Sequence, residues 1–306
     1  MKPLLTAFVL AGPTAVGKTD VAHVLARDYT CDILSADSML VYRGMEIGTA
    51  KPTPDQRLEV NYWGVDVVTP YREFSAGDYL RHARICFATQ TRPSPLIVVG
   101  GTGLYIKALT EGLDEVSGAD EGFRRRVGAW SVERLREELR RVDPGRLARL
   151  SDPANPRRLI RALELSAAGT VFRSLGNHGK QCPIVGIRME KKALDARIRA
   201  RVEAMFARGL VEEARKIREA GPMSRTAMQA IGYTEAYDLL DGRCIEAQAV
   251  ERIVIRTRQL AKRQMTWFRN QATVLWVDVE PGMAAADVAR KVDLLWKEHG
   301  PATLHV

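Results

Sequence analysis

Eight consecutive residues near the start of the chain, Gly12-Pro13-Thr14-Ala15-Val16-Gly17-Lys18-Thr19, fit the pattern G-x-x-x-x-G-K-S/T. The chemistry of such a run is phosphate binding. Its glycines let the backbone fold into a cradle of N–H donors. A helix that starts there adds partial positive charge. Lys18 brings a point charge to the terminal phosphate, and the Thr19 hydroxyl can hold a magnesium ion that also touches the phosphates. The motif leaves the ligand open: an NTPase, a kinase and any enzyme with a diphosphate substrate can use it.

Two further residues belong to the same chemistry by position. Asp37, in Ser35-Ala36-Asp37-Ser38, follows an apolar run containing Ile33 and Leu34. If that run is a strand of an open parallel sheet, Asp37 faces the cleft beyond the strand ends. A carboxylate there can ligate magnesium or accept a proton from a nucleophile, whereas the plain alternative is a helix cap. Thr102 sits in Gly100-Gly101-Thr102-Gly103, after the apolar run 96–99. Its hydroxyl can reach a phosphate or a nucleophile, and the alternative is a structural turn.

The elements needed to bring these groups together are legible. Apolar runs at 4–11, 33–34 and 96–99 alternate with helical patterns, the first helix covering 20–27. That alternation predicts a buried parallel sheet with crossover helices. From 115 to 180 the chain turns helical and arginine-rich, broken by Asp143-Pro144, Asp152-Pro153 and Asn155-Pro156. We expect an α/β fold, a P-loop NTPase-like parallel sheet with flanking helices. Residues 1–114 and 181–306 form the core, and 115–180 a helical insertion that returns through a loop at 176–179. Strands at 184–188 and 274–279 and a closing helix at 284–298 complete the expected core.

Composition narrows the function classes. The chain has 306 residues, 46% hydrophobic and 27% charged, an ordinary globular balance that speaks against disorder or a fibre. No apolar run approaches the ~20 residues a membrane helix needs. The apolar start runs directly into the phosphate motif, so a cytoplasmic location is expected. Cys31, Cys86, Cys182 and Cys244 are far apart and read as reduced, mostly buried thiols. The net charge of +9 is uneven: residues 1–114 carry −1, residues 115–180 carry +5 and residues 191–270 carry +7. Such a bias suits a polyanion such as nucleic acid, or else solvated arginine-rich helix faces.

Taken together, several segments resemble the bacterial tRNA dimethylallyltransferase (tRNA isopentenyltransferase) family. They are the phosphate motif, residues 35–52, residues 99–105, residues 155–164 (Asn-Pro-Arg-Arg-Leu-Ile-Arg-Ala-Leu-Glu), residues 229–233 (Gln-Ala-Ile-Gly-Tyr) and residues 257–269. They occur in the family's order over nearly the whole chain. The long segment 35–52 and the last one are specific; the phosphate motif alone is not.

The resemblance implies transfer of a dimethylallyl group from dimethylallyl diphosphate to N6 of the adenine on the 3′ side of the anticodon. Gly12, Thr14, Ala15, Val16, Gly17, Lys18 and Thr19 would hold the leaving diphosphate, with Mg2+ on Thr19 and Arg201 as a second clamp. Asp37 would take the N6 proton, and Thr102 would fix the geometry. Asp37, Ser38, Met39, Leu40 and Thr102, then Arg157, Arg158, Leu159, Ile160 and Arg161, then Gln229, Gly232 and Tyr233 would touch tRNA. The basic insertion would grip the anticodon stem-loop. No membrane and no obligatory protein partner are implied. Arg252, Arg256 and Arg263 form one stripe of the last basic helix, and Arg258, Lys262 and Arg269 another, beside Trp267 and Phe268, which read as core. The chain departs from the family where a histidine-rich stretch is common: it has Asn61-Tyr62-Trp63-Gly64-Val65-Asp66, to which no role is given. Competing readings are a small-metabolite kinase, an adenylate prenyltransferase and a non-catalytic RNA-binding protein.

Overall fold

A computed structural model of the chain describes residues 5–89, 95–112, 121–150, 152–169 and 184–305. The chain divides into two units, Met1–Gly112 with Gly179–Val306, and Leu113–His178.

The larger unit is built on a sheet of seven strands: β1 (Leu5–Ala11), β2 (Ile33–Ser35), β3 (Tyr62–Trp63), β4 (Leu96–Gly100), β5 (Ile184–Met189), β6 (Val274–Val279) and β7 (Ala302–Leu304). Their order is β3-β2-β4-β1-β5-β6, all parallel, with β7 antiparallel to the start of β1. Strands β1, β2 and β4 are almost wholly buried and read as unbroken apolar runs, as strands covered on both faces do. Because β2, β4 and β1 are neighbours and parallel, the loops after their carboxyl ends emerge together. Those loops carry Asp37, Thr102 and the phosphate motif.

The helices of this unit are α1 (Lys18–Asp28), α2 (Pro54–Glu59), α3 (Ala76–Thr89) and α4 (Gly103–Glu111), then, after the second unit, α9 (Lys191–Ala207), α10 (Leu210–Ala220), α11 (Tyr233–Leu240), α12 (Glu246–Gln271) and α13 (Ala285–His299). Val21, Ala22 and Leu25 of α1 and Val288, Val292 and Trp296 of α13 bury themselves with Leu10, Ile33, Ile97, Val185 and Ile187 of the sheet. Local signals set several starts. Thr53 caps α2 in a reciprocal box with Gln56, with Pro54 in the first turn, and the Glu190 carboxylate accepts from the Ala193 N–H at the start of α9.

The smaller unit contains α5 (Glu121–Val127), α6 (Val132–Val142), α7 (Pro144–Ala148) and α8 (Pro156–Ala167). Val127, Leu135, Leu139, Leu159, Ala162 and Leu163 form its own core. Ser131, Asp143 and Asn155 cap α6, α7 and α8, so Asp143-Pro144 and Asn155-Pro156 are helix starts, whereas Asp152-Pro153 lies in the turn before α8.

The sequence reading omitted β3 and β7. Each has two or three residues, too few for any periodicity to register, and each exists because an existing strand edge supplies its partner. Cys31, Cys86 and Cys244 are buried, whereas Cys182 and the expected loop at 176–179 lie outside the described residues. Among the described residues no helix is long and apolar enough to cross a membrane.

Candidate active site

Strand β1 delivers the chain into the phosphate loop at Gly12. A Cβ on Gly12 would stand 2.4 Å from the Ile187 carbonyl oxygen, so only glycine lets the loop pass β5. Ala15 (φ 66°) and Gly17 (φ 102°) then adopt left-handed backbone, wrapping the loop toward the N-terminus of α1. The Thr14 N–H donates to Oε1 of Gln264 at 2.8 Å, which ties the loop to α12. Lys18 Nζ donates to the Pro13 carbonyl at 2.6 Å. Burial lowers the Lys18 ammonium to about 8, against an opposing pull from the Asp37 carboxylate.

The ends of β2 and β4 are locked together. Ala36 N–H donates to Val99 O at 2.7 Å, and Thr102 N–H donates to Ala36 O at 3.1 Å. A Cβ on Gly100 would lie 2.1 Å from that Ala36 oxygen, which explains the glycine. The Thr102 hydroxyl oxygen accepts from the Ser38 N–H at 3.0 Å and donates to Ser38 Oγ at 3.3 Å. Asp37 Oδ1 accepts from the Met39 N–H at 2.9 Å, fixing the carboxylate in a tight local turn. Gly101 and Gly103 leave room for Gln264 and Trp267 of α12, which a Cβ at either glycine would strike.

Two cavities open at these loops. The first, of about 460 Å³, is lined by Thr14, Ala15, Gly17, Lys18 and Thr19 and also by Ser35, Asp37, Lys51, Arg197 and Arg201. The second, of about 540 Å³, has Ser38, Met39, Thr102, Gln229, Arg263 and Gln264 in its wall. Thr14, Asp37, Thr49 and Arg201 line both, so the cavities meet there. Arg201 reaches in from α9 between the phosphate loop and residue 49, 3.4 Å from Thr14 Oγ1 and 3.4 Å from Thr49 O. Burial lowers its proton affinity and Asp37 raises it again; a guanidinium stays charged under such opposing shifts.

The arrangement is a glycine-containing loop at a helix start with four basic side chains, Lys18, Lys51, Arg197 and Arg201, in one cavity wall, abutting a second chamber, with the Asp37 carboxylate at the junction. Residues 40–271 match the model of the IPP transferase family. The chain belongs to that family. A tRNA dimethylallyltransferase of Geobacillus kaustophilus is 41% identical over 294 residues, 92% of this chain and 93% of the relative. Another, from Geotalea uraniireducens, is 40% identical over 291 residues, 90% of this chain and 93% of the relative. The crystal structure of a full-length tRNA isopentenylpyrophosphate transferase from Bacillus halodurans matches with a TM-score of 0.69 at 34% identity, covering 95% of this chain and 96% of that one.

Of the expected diphosphate-binding residues, Thr14, Ala15, Gly17, Lys18, Thr19 and Arg201 reach the first cavity wall. Gly12 and Val16 are buried behind it: Val16 is 1% exposed and packs into the core. Leu40 lines the first cavity, not the second. Two residues expected to touch tRNA are buried. Leu159 is 0% exposed because it faces the core of the smaller unit, and Tyr233 is 0% exposed with its hydroxyl on Glu213 at 2.7 Å. Their neighbours Arg157 and Arg158 are exposed, Ile160 packs against that core, and Arg161 pairs with Glu164 at 3.1 Å. Gly232, at φ 114°, supports the turn into α11.

The arginine stripes of α12 separate by partner. Arg252 pairs with Asp238 at 3.2 Å, Arg256 with Glu235, and Arg258 lies 3.5 Å from Asp195. Arg263 lines the second cavity, whereas Lys262 and Arg269 are exposed. Phe268 is core, as expected; Trp267 is half-buried and fills the space above Gly103. The sequence reading missed Gln264, Lys51, Thr49 and Arg197. All but Arg197 lie inside the family-like segments 35–52 and 257–269, which was the available signal. Residues 61–66 acquire a structural role. Asn61 and Trp63 each donate to Asp32 at 3.0 Å, and Asp66 receives Lys51 and Arg57.

Proposed function

We propose that the chain transfers a dimethylallyl group from dimethylallyl diphosphate to N6 of the tRNA adenine on the 3′ side of the anticodon, giving N6-isopentenyladenosine and diphosphate. The observation that carries this reading is the meeting of the two cavities at Thr14, Asp37, Thr49 and Arg201. The diphosphate occupies the first cavity, on the phosphate loop, and the adenine enters the second. N6 attacks the allylic C1, the C1–O bond breaks, and the electron pair leaves with the diphosphate. Lys18 and Arg201 stabilise the charge that develops on it. Asp37, at the junction, accepts the proton lost from N6. Thr102 holds the loop that carries Asp37 through its bond to Ser38.

A magnesium ion fits this donor set. The hydroxyls of Thr19 and Ser35 and the Asp37 carboxylate are hard oxygens in the wall of one cavity, and Ser35 Oγ is buried with no hydrogen-bond partner. Among the described residues there is no cluster of three or more His, Cys, Asp or Glu suited to a metal. When bound, magnesium neutralises charge on the leaving diphosphate. In the smaller unit, exposed Arg157 and Arg158 on the first turn of α8 supply charge for tRNA phosphates.

The test is a transfer assay with purified protein, magnesium and radiolabelled dimethylallyl diphosphate, offered unmodified tRNA or AMP. Label at N6 of tRNA adenine and none in AMP is the expected result. Label in AMP moves the assignment to a free-nucleotide prenyltransferase. Label in neither overturns prenyl transfer and favours the kinase.

A further inference from the structure

Residues 46–51 form a strap along the junction of the two cavities. Gly48 lines the second, Thr49 lines both, and Ala50 and Lys51 line the first. The strap is not held by sheet or helix hydrogen bonds. Three consecutive backbone N–H groups, of Glu46, Ile47 and Gly48, converge on the Glu213 carboxylate at 2.8, 2.8 and 3.1 Å. The Tyr233 hydroxyl donates to the same carboxylate at 2.7 Å, and a Cβ on Gly48 would stand 2.7 Å from the Tyr233 ring. At the other end Lys51 is buried, with Nζ donating to Tyr42 O at 2.6 Å, to Glu46 at 2.7 Å and to Asp66 at 2.5 Å. Between these anchors the chain turns through Ala50 in left-handed backbone (φ 51°), a conformation that alanine holds only when its surroundings impose it.

The geometry points to Glu213 as a positioning residue for the transfer reaction, acting through the Thr49 carbonyl to aim Arg201 at the cavity junction. This inference rests on the function proposed above. Glu213 lines neither cavity. A carboxylate is the side-chain type that can accept four converging N–H and O–H donors, because both of its oxygens are acceptors. That acceptor set holds residues 46–48, and the next carbonyl, of Thr49, is the oxygen on which Arg201 rests. Glutamine keeps the volume but turns one oxygen into an NH2 that faces the same N–H groups. The strap must then shift, and Arg201 loses its second partner. Gly48→Ala reaches the same end from the opposite side, by pushing the strap off the Tyr233 ring.

The test compares the full-length protein with Glu213→Gln, Gly48→Ala, Tyr233→Phe, Arg201→Ala and the Glu213→Gln/Arg201→Ala double variant. Transfer kinetics, tRNA affinity by filter binding, and magnesium diphosphate affinity by calorimetry are measured for each. We expect Glu213→Gln and Gly48→Ala to lower kcat by about 10- to 100-fold, the scale of a small misplacement of reacting groups. Diphosphate binding weakens in both, while tRNA affinity stays within about twofold because phosphate contacts dominate it. Tyr233→Phe removes one of the four bonds and has a smaller effect. In the Arg201→Ala background, Glu213→Gln brings little further loss, since the two act in series. Additive losses in the double variant, or unchanged kcat and diphosphate affinity in Glu213→Gln, overturn the inference. If the wild-type protein transfers no label to tRNA, the proposed function fails by itself. The diphosphate calorimetry then still decides whether Glu213 sets the anion site.

Discussion

The Thr14 N–H and the Gln264 side chain, 250 residues apart in sequence, are joined by a 2.8 Å hydrogen bond. The phosphate loop is therefore shaped from outside as well as by its own glycines. The acceptor comes from the C-terminal third of a 26-residue helix that also fills the space above Gly101 and Gly103. The Thr14 N–H is taken up by Gln264, and this bond ties the backbone of the loop to the helix.

Gln264→Ala should leave the fold intact and loosen this loop. Loss of one hydrogen bond of about 1 kcal/mol corresponds to roughly fivefold weaker magnesium diphosphate binding. Calorimetric titration checks the affinity, and a thermal melt checks that the fold is retained.

Asp37→Asn should abolish proton acceptance while keeping the local turn, because its amide oxygen can still accept from the Met39 N–H. The expected loss in kcat is about 100- to 10,000-fold, the usual worth of a general base. Binding of tRNA and of diphosphate should stay near wild type. Parallel loss of tRNA binding with the fold intact would remove Asp37 from the base role.

The pH dependence of diphosphate binding should carry the signature of Lys18. Burial brings its ammonium down from 10.5 to about 8, so the free protein loses this charge as pH rises through about 8. The bound anion favours the charged form, so above that pH each binding event must draw in a proton. Affinity should fall as pH climbs from 7 to 10, with proton uptake visible as a dependence of the binding heat on buffer. Lys18→Met should bind weakly and without that uptake. For folding the sign is opposite: between about 8 and 10.5 the unfolded chain holds more protons at this site, so its contribution to stability rises with pH.

Gly100→Ala should be strongly destabilising, because the new methyl would meet Ala36 O at 2.1 Å and Ala36 Cα at 2.8 Å. Both are backbone atoms that hold β2 to β4, and overpacking of this kind costs about 1–3 kcal/mol or more. Gly77→Ala is the matched control: its nearest neighbour would be a side-chain oxygen at an ordinary 3.6 Å, in a helix that favours alanine. Urea denaturation of the two variants should separate them clearly.

The sequence by itself determined five of the seven described strands, the phosphate motif and the family. Unbroken apolar runs such as 96–99 form buried parallel strands whatever their partners. The phosphate motif needs only its glycines, Lys18 and Thr19 in local order, and segments 35–52 and 257–269 carry the family's pattern in linear form. Position after a strand marked Asp37, and the family resemblance marked Arg201; both line both cavities. The sequence could not separate exposed Arg157 from buried Leu159, or exposed Gln229 from buried Tyr233. Neighbours in a segment turn to opposite faces of a helix or to either side of a turn, and only packing decides which is buried. Nor could it find the pairs Thr14–Gln264 and Glu213 with residues 46–48. A backbone N–H carries no sequence identity, so the partner that satisfies it is known only once the chain has folded and brought an acceptor within reach.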